Sequence, residues 1–198
     1  MNRKQEFEER YESGTTPWEL NRPDSHLVHI IEKERVQPCK ALEIGCGTGS
    51  NAIWLRNRGF EVTAMDFSEL AIEKAKEKAG QEGADIQFLV NDFLLEKKAL
   101  PEFEFIFDRG CFHAFDDKKD RKTFAKNAAG RLKQGGLWFS ILGNADDPPR
   151  DEGPPMRSAQ DIVTAVEPFF KILSLVSDRF DSNRKNPVRC WLCLMRKR

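Results

Sequence analysis

From residue 40 onward, short apolar runs alternate with stretches in which apolar residues recur every three or four positions. The first pattern suits buried strands and the second suits helices with one apolar face. Residues 40–44 read as a strand ending in glycines, and residues 51–58 as a helix closed by Gly59, which suits a left-handed cap. A second strand over 61–65 ends at Asp66. Ser68 is placed to cap the next helix, whose Ala71, Ile72, Ala75 and Ala79 form one stripe. Residues 86–90 and 103–107 read as the third and fourth strands. A helix near 118–132 carries Phe124, Ala125, Ala128 and Leu132 on one face, and Gly135-Gly136 turns into a fifth strand over 137–142. Residues 158–169 read as a last helix, followed by strands near 171–176 and 188–195. Residues 1–35 read as charged and irregular, with a break at Gly14-Thr15-Thr16-Pro17-Trp18.

Alternating strands and helices predict a doubly wound, Rossmann-like α/β fold with a mostly parallel seven-stranded sheet. The last two strands have no helix between them, so an antiparallel strand is expected near the C-terminus. At 198 residues, without internal repeat or interdomain linker, the chain reads as one domain. One loop stands apart. Residues 143–157 hold four prolines and four acidic residues with no periodicity, which reads as a lid or a solvated loop.

Lysine plus arginine balance aspartate plus glutamate at 32 each, so the chain lacks the basic footprint of a general nucleic-acid binder. No stretch approaches the roughly 20 apolar residues that cross a bilayer, and the charged N-terminus is unlike a secretory signal. A cytoplasmic protein without nucleic-acid or membrane partners is expected. Five cysteines fit a reducing compartment. Cys190 and Cys193 have C-x-x-C spacing, but on a strand positions three apart face opposite sides, so no metal site is expected.

The chemistry concentrates where strands end. Gly45, Gly47 and Gly49 form G-x-G-x-G between a strand and a helix, a turn that brings backbone close to a ligand. A dinucleotide fingerprint is G-x-G-x-x-G, and Ser50 stands where its third glycine belongs. Glu43, two places before the first glycine, suits a ligand with a positive end, such as an ammonium. Asp66 is placed for ribose hydroxyls. In Asn91-Asp92-Phe93 a carboxylate can take an adenine amino group and a phenyl ring can pack on its face. With these features in order, residues 40–196 resemble the class I S-adenosylmethionine (SAM)-dependent methyltransferases. The resemblance implies SAM as cofactor, held by Trp18, Glu43, Gly45, Cys46, Gly47, Gly49, Asp66, Phe67, Asn91, Asp92, Phe93 and Arg109.

Three further blocks narrow the resemblance. Gly14-Thr15-Thr16-Pro17-Trp18-Glu19 is similar to the G-x-T-P-W segment of the thiopurine, thiol, halide and tellurite methyltransferases. Phe107-Asp108-Arg109-Gly110-Cys111-Phe112-His113 resembles their D-R-G segment, and Gly153-Pro154-Pro155 their G-P-P. The resemblance implies an N-terminal lid over residues 1–35 and a SAM-binding core over 36–198. It places Trp18 against SAM and Arg109 beside the methyl-transfer site, with Asp108 as its catalytic neighbour. Phe7, Trp18, His113 and Pro154 would face the substrate, and Phe7 stands where the family often has tryptophan.

Plainer roles compete for the same residues. Trp18 can anchor the N-terminal arm, Arg109 can pair with Asp108 or Asp116, and His113 can pack between Phe112 and Phe115. A thiol, chalcogen or halide acceptor needs no strong base, whereas an amine or alcohol would draw on Asp108 or His113. The leading expectation is a SAM-dependent methyltransferase of a small soft nucleophile. Its alternatives are methylation of an O- or N-metabolite or a protein side chain, and a SAM-binding module without turnover.

Overall fold

The alternation of strands and helices is present in the computed structural model, which describes residues 3–95, 100–148 and 153–198. The chain divides into two units, Met1–Glu96 and Lys97–Arg198.

In the first unit the order is α1 (Arg3–Glu12), α2 (Ser25–Lys33), β1 (Lys40–Ile44), α3 (Ser50–Asn57), β2 (Glu61–Asp66), α4 (Glu69–Gln81) and β3 (Gln87–Val90). The three strands are parallel in the order β3-β2-β1. Ile44 lies opposite Met65, and Asp66 opposite Val90, so the strand ends that carry the motif residues are aligned. Parallel strands are buried on both faces, and Ala41, Leu42, Ile44, Val62, Ala64 and Met65 are all in the core. Ser68 caps α4, its Oγ accepting from the Ala71 N–H at 3.0 Å. The alanine stripe is buried as expected. Its small side chains let α4 approach the glycine turn so closely that a Cβ on Gly49 would lie 3.1 Å from Ala75 Cβ.

Residues 1–35 depart from expectation, since two helices replace an irregular segment. In α2, Leu27, Ile30 and Ile31 form a buried stripe, and the Asp24 side chain caps the helix by accepting from the His26 N–H at 2.9 Å. In α1 the charges mask a shorter signal, the i, i+4 pair Phe7 and Tyr11.

The second unit runs β4 (Phe103–Arg109), a 3₁₀ turn (Phe112–Ala114), α5 (Lys118–Arg131), β5 (Leu132–Asn144), β6 (Met156–Arg157), α6 (Ala159–Val166), β7 (Phe170–Arg179) and β8 (Arg189–Lys197). Its strands lie in the order β4-β5-β8-β7. The pair β4 and β5 is parallel, and β8 is antiparallel to both β5 and β7. The antiparallel C-terminal strands match expectation. Trp138 is fully buried at the centre, with ring centroids of Phe112, Phe124 and Phe170 at 5.5, 5.7 and 5.2 Å. Burial of each such ring contributes roughly 1.5–3 kcal/mol.

The described residues form eight strands rather than seven, because the two-residue β6 pairs with the end of β5. β5 also starts at Leu132, earlier than expected, and passes through Gly135 at φ 75°. Cys190 and Cys193 lie on β8, buried and outside any disulfide, opposite Gly143 and Ser140. Among the described residues no cluster of candidate ligands could hold a metal ion, and no helix is long and apolar enough to cross a membrane.

Candidate functional site

The glycine turn is built by backbone. The N–H groups of Gly45 and Cys46 both donate to the Met65 carbonyl, at 2.8 and 2.9 Å, which ties the turn to the end of β2. Gly45, Gly47 and Gly49 have φ of 70°, 52° and 81°, a region that side-chain-bearing residues rarely adopt. The Gly47 N–H donates to Asp66 Oδ2 at 2.9 Å, and Asp66 Oδ1 accepts from the Ser68 N–H at 3.0 Å. The structure thus brings Glu43, Gly45, Cys46, Gly47, Gly49 and Asp66 onto one turn.

Buried carboxylates dominate the electrostatics here. Glu43 is fully buried, with Oε1 accepting from Asn51 Nδ2 at 3.1 Å and Oε2 without a partner among the described residues. Burial pushes its carboxyl up to about 8; the Asn51 bond opposes the shift, and Glu19 and Asp66 nearby add to it. Asp66 is raised to about 6 by burial, against the bonds from Ser68 and Gly47. Burial also raises Cys46, which stays a thiol. Asn91 Nδ2 is a second buried atom without a partner among the described residues. A buried acceptor such as Glu43 Oε2 is suited to a polar donor. An ammonium on Glu43 Oε2 fits that chemistry.

Asp92 and Phe93 are arranged differently from the motif expectation. Asp92 is exposed and its Oδ1 accepts from the Leu94 N–H at 2.9 Å, so its carboxylate closes its own turn. The Phe93 ring is buried in the core.

The N-terminal arm docks on the same turn. The Phe7 ring centroid lies 5.3 Å from Trp18 and 5.4 Å from Phe67, directly after Asp66. Trp18 Nε1 donates to Tyr11 Oη at 3.2 Å, and the Arg10 guanidinium lies 5.6 Å from the Trp18 ring. Glu8 accepts from Ser68 Oγ at 3.0 Å and from the Glu69 N–H at 2.8 Å, capping α4 from outside. Three residues absent from the motif reading take part. Tyr11 is buried, Glu19 reaches Thr48, and Lys78 Nζ donates to Asn21 Oδ1, Thr48 Oγ1 and Ser50 Oγ at 3.1, 2.9 and 3.1 Å. Sequence offered a hint for Glu19 alone, which continues the Thr-Pro-Trp block.

In the second unit Asp108 is fully buried. Its Oδ1 accepts from the Phe112 N–H and its Oδ2 from Trp138 Nε1, both at 2.9 Å. Burial raises its carboxyl to about 6, with those bonds opposing the shift. The carboxylate braces the turn after β4. Arg109 Nη2 donates to the Asp181 carbonyl at 2.7 Å, and its guanidinium sits 5.4 Å from the Phe180 ring centroid. Asp116 pairs instead with Arg157 at 2.6 Å.

His113 Nδ1 accepts from the Gly143 N–H at 2.7 Å, which leaves the ring proton on Nε2, beside Gly110. Burial, with Arg157 and Arg109 nearby, pushes the imidazole down to about 3, so it is neutral at physiological pH. His113 also packs edge-on against Phe180, with centroids 6.2 Å apart. Half-buried Pro154 precedes Pro155, whose carbonyl occupies the space a Cβ on Gly143 would need. The 143–157 loop is tied down at both described ends, by the β5–β6 pairing and by Arg189 N–H donation to Asp147 Oδ2 at 3.0 Å. Residues 149–152 of that loop lie outside the described residues.

The family model of thiopurine S-methyltransferase matches residues 2–191. A probable thiol methyltransferase 2 of Arabidopsis thaliana is 29% identical over 176 residues, covering 87% of this chain and 76% of that protein. Thiocyanate methyltransferase 1 of Brassica oleracea is 29% identical over 175 residues, covering 85% and 75%. A solved structure from the conversion of a disulfide bond into a thioacetal group during echinomycin biosynthesis superposes with a TM-score of 0.80. That pair is 24% identical and covers 92% of this chain and 84% of the other, a likeness of fold.

Proposed function

The chain belongs to the thiopurine S-methyltransferase family, and on that premise we propose that this SAM-dependent methyltransferase acts on a small soft nucleophile, a thiol or thiocyanate-like anion. The observation that carries the proposal is the state of the two candidate bases. His113 is neutral with Nδ1 already accepting, and both Asp108 oxygens already accept. An acceptor that must first lose a proton would need one of them. A thiolate or thiocyanate would not. The relatives named as thiol and thiocyanate methyltransferases support the same acceptor class.

When bound, SAM supplies a methyl group already activated on a sulfonium, so this chain's residues supply orientation and a dry site. Glu43 and Asp66 would hold the cofactor's polar ends at the glycine turn, with Phe67 and Trp18 covering it. Arg109 would favour an anionic acceptor by its charge. His113, a neutral N–H donor, would orient the acceptor without taking a proton, and Phe7 and Pro154 would shape the substrate wall. A cytoplasmic setting belongs to the same proposal, supported by five cysteines of which none is in a disulfide.

The test is a labelled-methyl transfer screen over small thiols, thiopurines, thiocyanate, halides, selenite, tellurite, amines and catechols. Transfer to thiols or thiocyanate above the rest is expected. Transfer confined to amines, catechols or protein side chains would overturn the acceptor class and leave the cofactor untouched.

A further inference from the structure

Four residues of the N-terminal arm form a tight turn, in which the Glu19 N–H donates to the Thr16 carbonyl at 2.9 Å. Pro17 sits at the second position of that turn, where its fixed φ is favourable. The turn projects two side chains with separate tasks. Trp18 goes to Phe7 and Tyr11, while the Glu19 carboxylate goes to the glycine loop. There Glu19 Oε1 accepts from the Thr48 N–H at 3.2 Å and Oε2 accepts from Thr48 Oγ1. The Thr48 hydroxyl in turn accepts from Lys78 Nζ at 2.9 Å, so ammonium, hydroxyl and carboxylate form a chain from α4 to the arm.

Gly47 makes this contact possible. A Cβ there would stand 2.5 Å from Glu19 Oε1 and 3.0 Å from Tyr11 Oη. The central glycine therefore serves the arm as well as the turn. Helix α3 has no side-chain cap of its own at Gly49, and the incoming carboxylate meets an N–H just before that helix begins. Lys78 also donates to Asn21 Oδ1, so the arm is fastened to α4 on the far side of Trp18 as well.

We propose that Glu19 is a positioning residue for methyl transfer: through Thr48 it latches the Trp18 turn onto the glycine loop and so holds the arm closed over bound cofactor. Glu19 touches no reacting atom in this scheme. Its effect is on how long cofactor stays and how well Trp18 is held. The proposal rests on the methyltransferase assignment for its cofactor readout, and its second readout needs no cofactor.

The experiment combines Glu19→Ala, Glu19→Gln, Thr48→Val and the double variant Glu19→Ala/Thr48→Val. SAM affinity is measured by calorimetry, KM and kcat by methyl transfer, and amide exchange of residues 13–24 on the ligand-free chain. A charge-assisted hydrogen bond of this kind implies about tenfold weaker SAM binding on its loss. We expect that fold-change in Glu19→Ala and a smaller one in Thr48→Val, which keeps the bond from the backbone N–H, with KM for SAM rising by more than kcat falls. The double variant should be no worse than Glu19→Ala alone, because Glu19→Ala already removes both bonds to Thr48 and Thr48→Val removes only the one from the hydroxyl. Exchange over 13–24 should quicken in every variant, with Glu19→Gln intermediate. Multiplying losses in the double variant, or unchanged exchange over the arm, would overturn the latch. Failure of the unaltered chain to bind SAM would instead refute the cofactor assignment, and the exchange result would stand by itself.

Discussion

Glu43→Gln isolates the cost of keeping a carboxylate in the glycine turn. Burial holds the folded-state pKa at about 8, against an ordinary 4.5. The folded chain thus keeps a proton that the unfolded chain releases. This group's contribution to stability is complete below pH 4.5 and is lost as pH rises through about 8. The loss runs at about 1.4 kcal/mol per pH unit, or about 3 kcal/mol between pH 4.5 and 7. Glutamine keeps an oxygen for Asn51 and cannot ionise, so its stability lacks this slope. The assay is urea unfolding of both proteins without cofactor from pH 4.5 to 8.5. Asp108, raised to about 6, titrates in both proteins and cancels in the difference, while Asp66, also near 6, contributes only a minor part of the Glu43 shift. The variant should gain on the parent by about 3 kcal/mol up to pH 7. Calorimetry in buffers of different ionisation enthalpy should also show proton release on SAM binding in the parent alone. Parallel stability curves would refute the argument, because they would mean Glu43 ionises in the folded protein as freely as in the unfolded chain.

For His113, a folded-state pKa near 3 predicts no imidazole titration between pH 5 and 8, followed by NMR; an inflection near 6.5 would count against the buried neutral ring. The stability this group supplies is present above its ordinary 6.5 and is lost as pH falls toward 3. His113→Phe leaves the Gly143 N–H without its acceptor and should cost about 1–3 kcal/mol in urea unfolding. Trp138→Phe removes the donor to Asp108 Oδ2 and opens space in the aromatic core, and should cost about 3 kcal/mol by the same measurement. Gly47→Ala meets both a φ of 52° and the Glu19 carboxylate, and should weaken SAM binding at least about tenfold by calorimetry.

The legible part of the chain is the part where one local rule decides the outcome. The β1–α3 turn was readable because glycines at 45, 47 and 49 supply a backbone conformation that other residues avoid, and all three have positive φ. The α4 boundary is legible because Ser68 stands one place before the alanine stripe's helix, where a hydroxyl can accept from the first turn's N–H groups. Helix α1 is hidden in the sequence because its apolar stripe is completed only by docking. Phe7 and Tyr11 are a weak stripe until Phe67 and Trp18 lie against them. β6 escaped notice because two residues carry no periodicity.

The charges carried by the two sets of site residues bear on the acceptor. Around the glycine turn stand Glu43, Asp66 and Glu19, and two of these are held above the ordinary carboxylate range by burial. A cationic cofactor relieves that crowding, and a net negative one would add to it. In the second unit the balance is reversed: Arg109 is cationic, His113 is neutral, and the Asp108 carboxylate is spent on Trp138 and Phe112. On the proposed reading, those residues would meet an acceptor that arrives already anionic, as a thiolate does when its proton is lost to water near its own pKa. An amine at neutral pH arrives as a cation. It would meet Arg109 unfavourably and would find neither His113 Nδ1 nor an Asp108 oxygen free to take its proton. The same reasoning disfavours alcohols, whose deprotonation demands a stronger base than either group. On the proposed reading, selection for soft anions would follow from where hydrogen bonds already tie up the two candidate bases.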